Sequence, residues 1–289
     1  MAGNILLEGG AEFEGPMAEA DRRAIQLAGG PEARISILPT AAAPDNNHQR
    51  AGNNGQRWFR SLGARRVDAL PLIDAQAAER PEIVEALRRS QLIYLLGGFP
   101  RFLGDTLMGS ASGRAILDAY QAGAVVAGSS AGAMVLCQHY YDPASGQVIA
   151  GLNMLPRVCV LPHHNKFGQS WADHLAEALP GVILIGIDEG TGMLDDSPEG
   201  GWTVYGQGQV RLYRGAKEST FGRGEVLHLK VNPNSTMRQE EAMMEQNCKL
   251  YLIHWNAEEA GELAEELRAQ GWEVQAMHDS GQMGMKSLR

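Results

Sequence analysis

Cysteine is scarce. The 289 residues hold three, Cys137, Cys159 and Cys248, far apart, in no paired spacing and without a histidine pattern typical of zinc. That speaks against a disulfide framework or a zinc module and leaves reduced, packed thiols as the expectation. Long hydrophobic runs are missing too: nothing approaches the roughly 20 apolar residues that span a bilayer. The opening MAGNILLEGG has neither the basic region nor the apolar core of a secretory signal, so a cytoplasmic protein without a membrane partner is expected. Positive charge is short, 25 Lys and Arg against 34 Asp and Glu, for a net −9. Such a balance disfavours nonspecific binding to nucleic acid or anionic lipid and points to a small-molecule or peptide partner. Internal repeats and low-complexity tracts are also absent.

What is present is the composition of an ordinary soluble globular protein, 44% hydrophobic and 20% charged, long enough for one sizeable α/β core with an appendage. Short apolar runs predict strands at residues 4–7, 34–38, 67–70, 92–96, 124–127, 158–161 and 182–187. Amphipathic stretches at 17–27, 75–89 and 112–122 predict helices of a length suited to crossovers in a mostly parallel sheet, with helices on both faces. The asparagine-rich stretch 43–55 reads as irregular or only partly helical. From Trp202 the rhythm changes, and WTVYGQGQVRLYRG predicts two short strands around a glycine-containing turn. Residues 1–231 then form the main domain and 232–248 a polar linker. The last segment, 249–289, forms a small β-α-β unit, too small to be stable alone with assurance.

The stretch AVVAGSSAGAMVL is a β-branched run that meets serine and glycine and resumes in helix formers. Gly128, Ser129, Ser130, Ala131 and Gly132 satisfy G-x-S-x-G, the pattern of a serine perched on a sharp strand-to-helix turn. Small neighbours are needed because such a turn crowds backbone against backbone. Ser130 is then a nucleophile, and the Ala131 N–H, at a helix start, one oxyanion donor. A serine hydroxyl needs a base, and the base needs a carboxylate. Of eight histidines, the pair in VCVLPHHNKFG follows a strand, with His163 the better placed. Asp188 and Glu189 in GVILIGIDEGTGML end another strand. In LIYLLGGFPRFL, Gly97 and Gly98 end a fourth, where bare backbone can turn N–H groups toward a developing oxyanion.

GGFP after a strand, AGSSAGA, VLPHH and GIDEGTGML, in that order, resemble the aspartyl dipeptidase and cyanophycinase family of serine peptidases. ILLEGGAEFEG, ISILPTAAA and VYGQGQVRLYR fit as well, so the likeness covers about residues 4–230. It implies the flavodoxin-like fold of class I glutamine amidotransferases, with serine in place of their cysteine. It also implies Ser130 as nucleophile, His163 as base and then acid, Glu189 as the orienting acid with Asp142 as its rival, and an oxyanion hole from Gly98 and Ala131. No metal or organic cofactor is implied. The chain departs from the family's polar pocket: Leu161 and Pro162 stand before the histidine where an aspartate and a glutamine are usual. Phe99 and Pro100 follow the glycines where an acid and a glutamine are usual, and Lys166 stands in for arginines. The resemblance thus implies the machinery, not the cyanophycin pocket.

The expected function is a serine hydrolase that cleaves an amide in a short or unusual peptide, aspartyl dipeptidase-like, through an acyl-enzyme. The alternatives are a noncatalytic ligand-binding or regulatory protein on the same fold, and an esterase or acyl transferase. The segment from Lys249 vaguely resembles the opening of a response-regulator receiver domain but lacks its phosphoacceptor setting. It reads as a docking or dimerisation unit, which leaves a homodimer open.

Overall fold

A computed structural model of the chain describes residues 2–229 and, beyond them, three strands between 249 and 287. The first apolar runs form β1 (Ile5–Glu8), β2 (Arg34–Leu38), β3 (Arg66–Ala69), β4 (Leu92–Leu95) and β5 (Val125–Ser129), all parallel, in the order β1-β5-β4-β2-β3. β1, β4 and β5 are buried at every position. Strands covered on both faces read as continuous apolar runs, and these do.

The helices are α1 (Ala18–Leu27), α2 (His48–Ser61), α3 (Pro81–Arg88), α4 (Pro100–Leu107), α5 (Ala111–Gln121), α6 (Ala131–Leu136) and α7 (Ala172–Ala178). On one face, Ala24 and Ile25 of α1 and Phe59 of α2 join Leu6, Ile35, Ile37, Tyr94 and Ala127 in one cluster. The alternate residues Ile93, Leu95 and Val126 are equally buried on the opposite face, and α5 packs on both β5 and α3. The mostly parallel α/β sheet expected from the sequence is therefore present. Among the described residues no helix is long and apolar enough to cross a membrane.

Several elements differ from expectation. The strands predicted at 158–161 and 182–187 form β8 (Val158–Leu161) and β9 (Ile183–Ile187), after a hairpin of β6 (His139–Asp142) and β7 (Gln147–Ala150). β8 and β9 do not join the first sheet. They pair in parallel and build a second one, β13-β12-β9-β8, with β12 (Val210–Arg214) and β13 (Lys217–Phe221). β10 (Thr191–Leu194), β11 (Trp202–Gly206) and β14 (Val226–Leu227) extend the first sheet antiparallel beyond β1. WTVYGQGQVRLYRG is consequently not one hairpin: β11 pairs with β10 and β12 with β9. After β9 the chain crosses between the sheets three times, at 188–190, 207–209 and 222–225. Gly206, at φ +96°, permits the second crossing, because a Cβ there would collide with the Gly190 carbonyl.

Helix α2 occupies part of the stretch read as irregular. Its glycines seat it on the sheet: a Cβ on Gly52 would stand 2.9 Å from Ala69 Cβ, and one on Gly55 3.0 Å from Ile37 Cγ2. Close packing outweighs the poor helix propensity of glycine and asparagine. The helix predicted at 75–89 is broken by Pro81, which starts α3 and holds Arg80 extended at ψ 124°.

The chain divides into two compact units, Met1–Leu229 and Lys230–Arg289. In the second, β15 (Lys249–His254) pairs parallel with β16 (Glu273–Asp279), and β17 (Met285–Ser287) pairs antiparallel with β16. The linker expected at 232–248 and the helix expected between the two parallel strands both fall outside the described residues.

Candidate active site

Between β5 and α6 the chain turns so sharply that Ser130 takes φ 48°, ψ −110°, a conformation that a residue with a side chain adopts only when its surroundings enforce it. The surroundings are backbone. A Cβ on Gly128 would stand 2.7 Å from Ala133 N, and one on Gly132 would run into the Leu95 carbonyl. Every residue of α6 is buried, so the turn has no slack and the Ser130 side chain is fixed at its tip.

The end of β1 organises what surrounds that tip. Three consecutive carbonyls accept hydrogen bonds from three separate segments: Glu8 O from Ser130 N–H at 3.0 Å, Gly9 O from His163 N–H at 2.7 Å and Gly10 O from Gly190 N–H at 3.1 Å. Segments more than a hundred residues from β1 are thus tied to one stretch of backbone. Gly10 adds a second constraint. At φ +125° it lies under the imidazole of His163, where a Cβ would come within 2.7 Å of Nδ1. No residue but glycine fits.

His163 itself sits at φ 48° just past the end of β8. Its Nε2 is 2.9 Å from Ser130 Oγ and its Nδ1 is 2.7 Å from Glu189 Oε1. A carboxylate accepts from Nδ1–H, which leaves Nε2 to accept from the hydroxyl. Phe167 stacks on the ring, with centroids 4.9 Å apart. Glu189 lies on the first crossing between the sheets. Its Oε2 is 2.5 Å from Lys166 Nζ, and its backbone N–H donates to Asn165 Oδ1 at 3.1 Å. Lys166 foremost, and then His163, hold the Glu189 carboxyl below its usual range against the opposing effect of partial burial.

The doubled motifs sort by face. His164, next to His163, turns into the second sheet, where its Nε2 is 2.9 Å from Tyr213 OH and its Nδ1 3.6 Å from Asp188 Oδ1. A Cβ on Gly186 would overlap its ring, and burial lowers its pKa. Asp142 does not reach His163. It ends β6 and closes the hairpin, accepting from Ser145 Oγ at 2.6 Å and Ala144 N–H at 3.3 Å.

Ala131 opens α6, and the first N–H groups of a helix have no acceptor within it. Gly98, at φ +138°, runs so close to Ala41 that a Cβ would meet its carbonyl, and the next N–H, of Phe99, donates to that oxygen at 2.9 Å. Among the described residues, neither the Gly98 nor the Ala131 N–H donates to a backbone carbonyl. The arrangement can deprotonate a hydroxyl, hold the resulting imidazolium beside a carboxylate and offer N–H groups to an oxyanion.

Sequence reasoning missed Glu8, Gly9, Gly10, Glu12, Asn165 and Phe167 around this centre. The doubled glycine after β1, in LEGGAE, carries the same strand-then-glycine signature as the one after β4 and was the available signal.

The sequence model of peptidase family S51 matches residues 5–196. The crystal structure of a peptidase from an acI-B1 actinobacterium is similar at 32% identity and a TM-score of 0.71, over 79% of this chain and 98% of that one. The cyanophycinase of a Nostoc species is 28% identical over 220 residues, 72% of this chain and 72% of its own. That of Geminocystis herdmanii is 27% identical over 234 residues, 77% of this chain and 85% of its own.

Proposed function

The chain belongs to peptidase family S51 and is a serine-type peptidase, and we propose that it cleaves an amide bond in a short or unusual peptide through an acyl-enzyme on Ser130. The observation that carries this reading is the unbroken chain from Ser130 Oγ through His163 to Glu189, at 2.9 and 2.7 Å. In the mechanism His163 Nε2 takes the Ser130 proton as Oγ attacks the carbonyl carbon. Glu189 holds the ring in the tautomer that can accept it and stabilises the imidazolium. The tetrahedral oxyanion lies against the Gly98 and Ala131 N–H groups. His163 then delivers the proton to the leaving amine, and water, activated by the same nitrogen, releases the acyl group.

Every residue in these roles falls within the span matched by the family model. An aspartyl dipeptide is the first substrate to try, with Lys166 the cation nearest the base. Phe99 and Phe167, 42% and 48% exposed, give the rim an aromatic character in place of the polar residues expected for cyanophycin. The reading includes a small peptide partner and a cytoplasmic setting. Its test is hydrolysis of a panel of aspartyl and isoaspartyl dipeptides by wild type and Ser130→Ala. The wild type is expected to cleave at least one, with a loss of about a thousandfold or more in the variant. Equal rates for the two proteins would refute it.

A further inference from the structure

From the catalytic histidine a row of aromatic rings runs outward. His163, Phe167 and Trp171 recur every fourth residue, and their rings meet in that order. Phe167 stacks on His163 with centroids 4.9 Å and planes 28° apart, and reaches Trp171 at 5.4 Å and 51°. Trp171 continues to Tyr141 at 5.0 Å. Trp171 and Tyr141 are half-buried against the cluster that Cys159, Leu161, Leu175 and Leu184 form between α7 and the second sheet. Phe167 has no such cover: at 48% it is the most exposed large hydrophobic side chain among the described residues.

The backbone holds Phe167 in this open position. Its N–H donates to His163 O at 3.1 Å, as those of Lys166 and Gly168 do at 2.9 and 3.2 Å, and a Cβ on Gly168 would run into the Pro162 carbonyl. An apolar ring fixed this way gains when a ligand's apolar group displaces water from its free surface. The reaction decides which group. His163 Nε2 delivers its proton to the leaving nitrogen across one hydrogen bond, so the residue that owns this nitrogen lies beside the imidazole. Its side chain begins two bonds from the nitrogen, and Phe167 is the apolar surface stacked on that imidazole. Glu189, the carboxylate beside the same ring, is engaged at one oxygen by His163 and at the other by Lys166, which leaves it no oxygen free to attract a cationic side chain.

We propose that Phe167, backed by Trp171, forms the subsite for the leaving residue and selects peptides in which that residue carries a large apolar or aromatic side chain. The proposal rests on Ser130 as nucleophile and His163 as the acid that protonates the leaving amine, and it assigns Phe167 as a specificity-determining residue of that site. Arginine, whose planar cation also stacks on aromatic faces, is one competing occupant. The side chain of the acyl residue is the other.

Binding to Ser130→Ala, followed by calorimetry, reads the subsite without turnover. The probes are aspartyl-phenylalanine, aspartyl-glycine, which lacks the benzyl group, aspartyl-arginine, and phenylalanyl-glycine, which carries the benzyl group on the acyl residue. Aspartyl-phenylalanine is expected to bind roughly tenfold or more tightly than aspartyl-glycine, the range of a partly covered aromatic side chain, and Phe167→Ala on the same background is expected to bring the two within about twofold. A ring that only clamps the imidazole would weaken both probes alike. Phe167→Gln, polar and of similar length, is expected to erase the preference as well and serves if Phe167→Ala does not fold. Equal binding of the first two probes, no binding of aspartyl-phenylalanine, or a preference that survives the loss of the ring overturns the proposal. A Phe167-dependent preference for aspartyl-arginine or for phenylalanyl-glycine over aspartyl-phenylalanine overturns it in favour of that occupant. Fluorophosphonate labelling of the wild type decides the nucleophile separately: without labelling, a Phe167-dependent preference still establishes an apolar subsite, and the peptidase mechanism is what fails.

Discussion

Gly10 is where a single methyl group tests the site most sharply. Gly10→Ala forces a left-handed backbone on alanine and drives its Cβ into the His163 ring. The backbone term alone costs about 1 kcal/mol, and displacement of the imidazole by about an ångström is worth on the order of a hundredfold in kcat/KM. Thermal melts and dipeptide kinetics on the same sample check both, and a variant with wild-type kcat/KM contradicts the packing described. Glu189→Gln keeps the shape of the side chain but loses the charge beside His163, and kcat is expected to fall by roughly a hundredfold or more with little change in KM. Asp142→Asn is expected to leave kcat near wild type, since Asp142 closes a hairpin. At this scale the sequence told much about Ser130, His163 and Glu189, because each follows a recognisable strand end. It could not separate His163 from His164 by parity, since Pro162 interrupts the alternation between β8 and the pair. Glu12 and Gly10 were hidden for another reason: their partners lie more than 80 positions along the chain, and only folding brings them together.

Among the elements, the parallel strands and most helices were legible because burial on both faces leaves uninterrupted apolar runs and a single apolar stripe leaves helical spacing. The division into two sheets was not. β8 and β9 are as apolar as β4 and β5, and nothing local says that β9 pairs with β12 rather than with a strand of the first sheet. That division is functionally central, since Glu189 sits on the strand-to-strand crossing it creates. Helix α5 offers a plain test of local control. Its N-cap Ser110 accepts from Gly113 N–H at 3.0 Å, and Ser110→Ala is expected to cost about 1 kcal/mol. In a unit of this size that lowers Tm by roughly 2–4 °C, and an unchanged melt shows that the cap contributes nothing.

The stability of the whole molecule carries the signature of a buried carboxyl pair beneath the site. Glu8 of β1 accepts from Tyr94 OH, and Asp21 of α1 accepts from Trp58 Nε1–H at 2.7 Å. Both side chains are fully buried. Burial, opposed in part by the Trp58 hydrogen bond, raises Asp21 to about 7. Burial first and the Asp21 charge second raise Glu8 well above the carboxylate range. Below pH about 4 the folded and unfolded chains both hold these protons and no penalty arises. Between about 4 and 7 only the folded chain keeps the Asp21 proton, so stability falls as pH rises, on the order of 1.4 kcal/mol per pH unit for one proton. Above about 7 the Asp21 share of the penalty is in place. Asp21→Asn keeps an acceptor for Trp58 and is expected to flatten melts recorded from pH 4.5 to 8, whereas curves parallel to wild type contradict a shared buried proton. Above the carboxyl pair, the catalytic account turns on whether Ser130 is activated by the imidazole bonded to it. The most direct measurement is peptide mapping by mass spectrometry after exposure to a fluorophosphonate. The account predicts one adduct, on Ser130, absent from Ser130→Ala and formed far more slowly in His163→Ala. An adduct on another residue, or equal rates in wild type and His163→Ala, contradicts it.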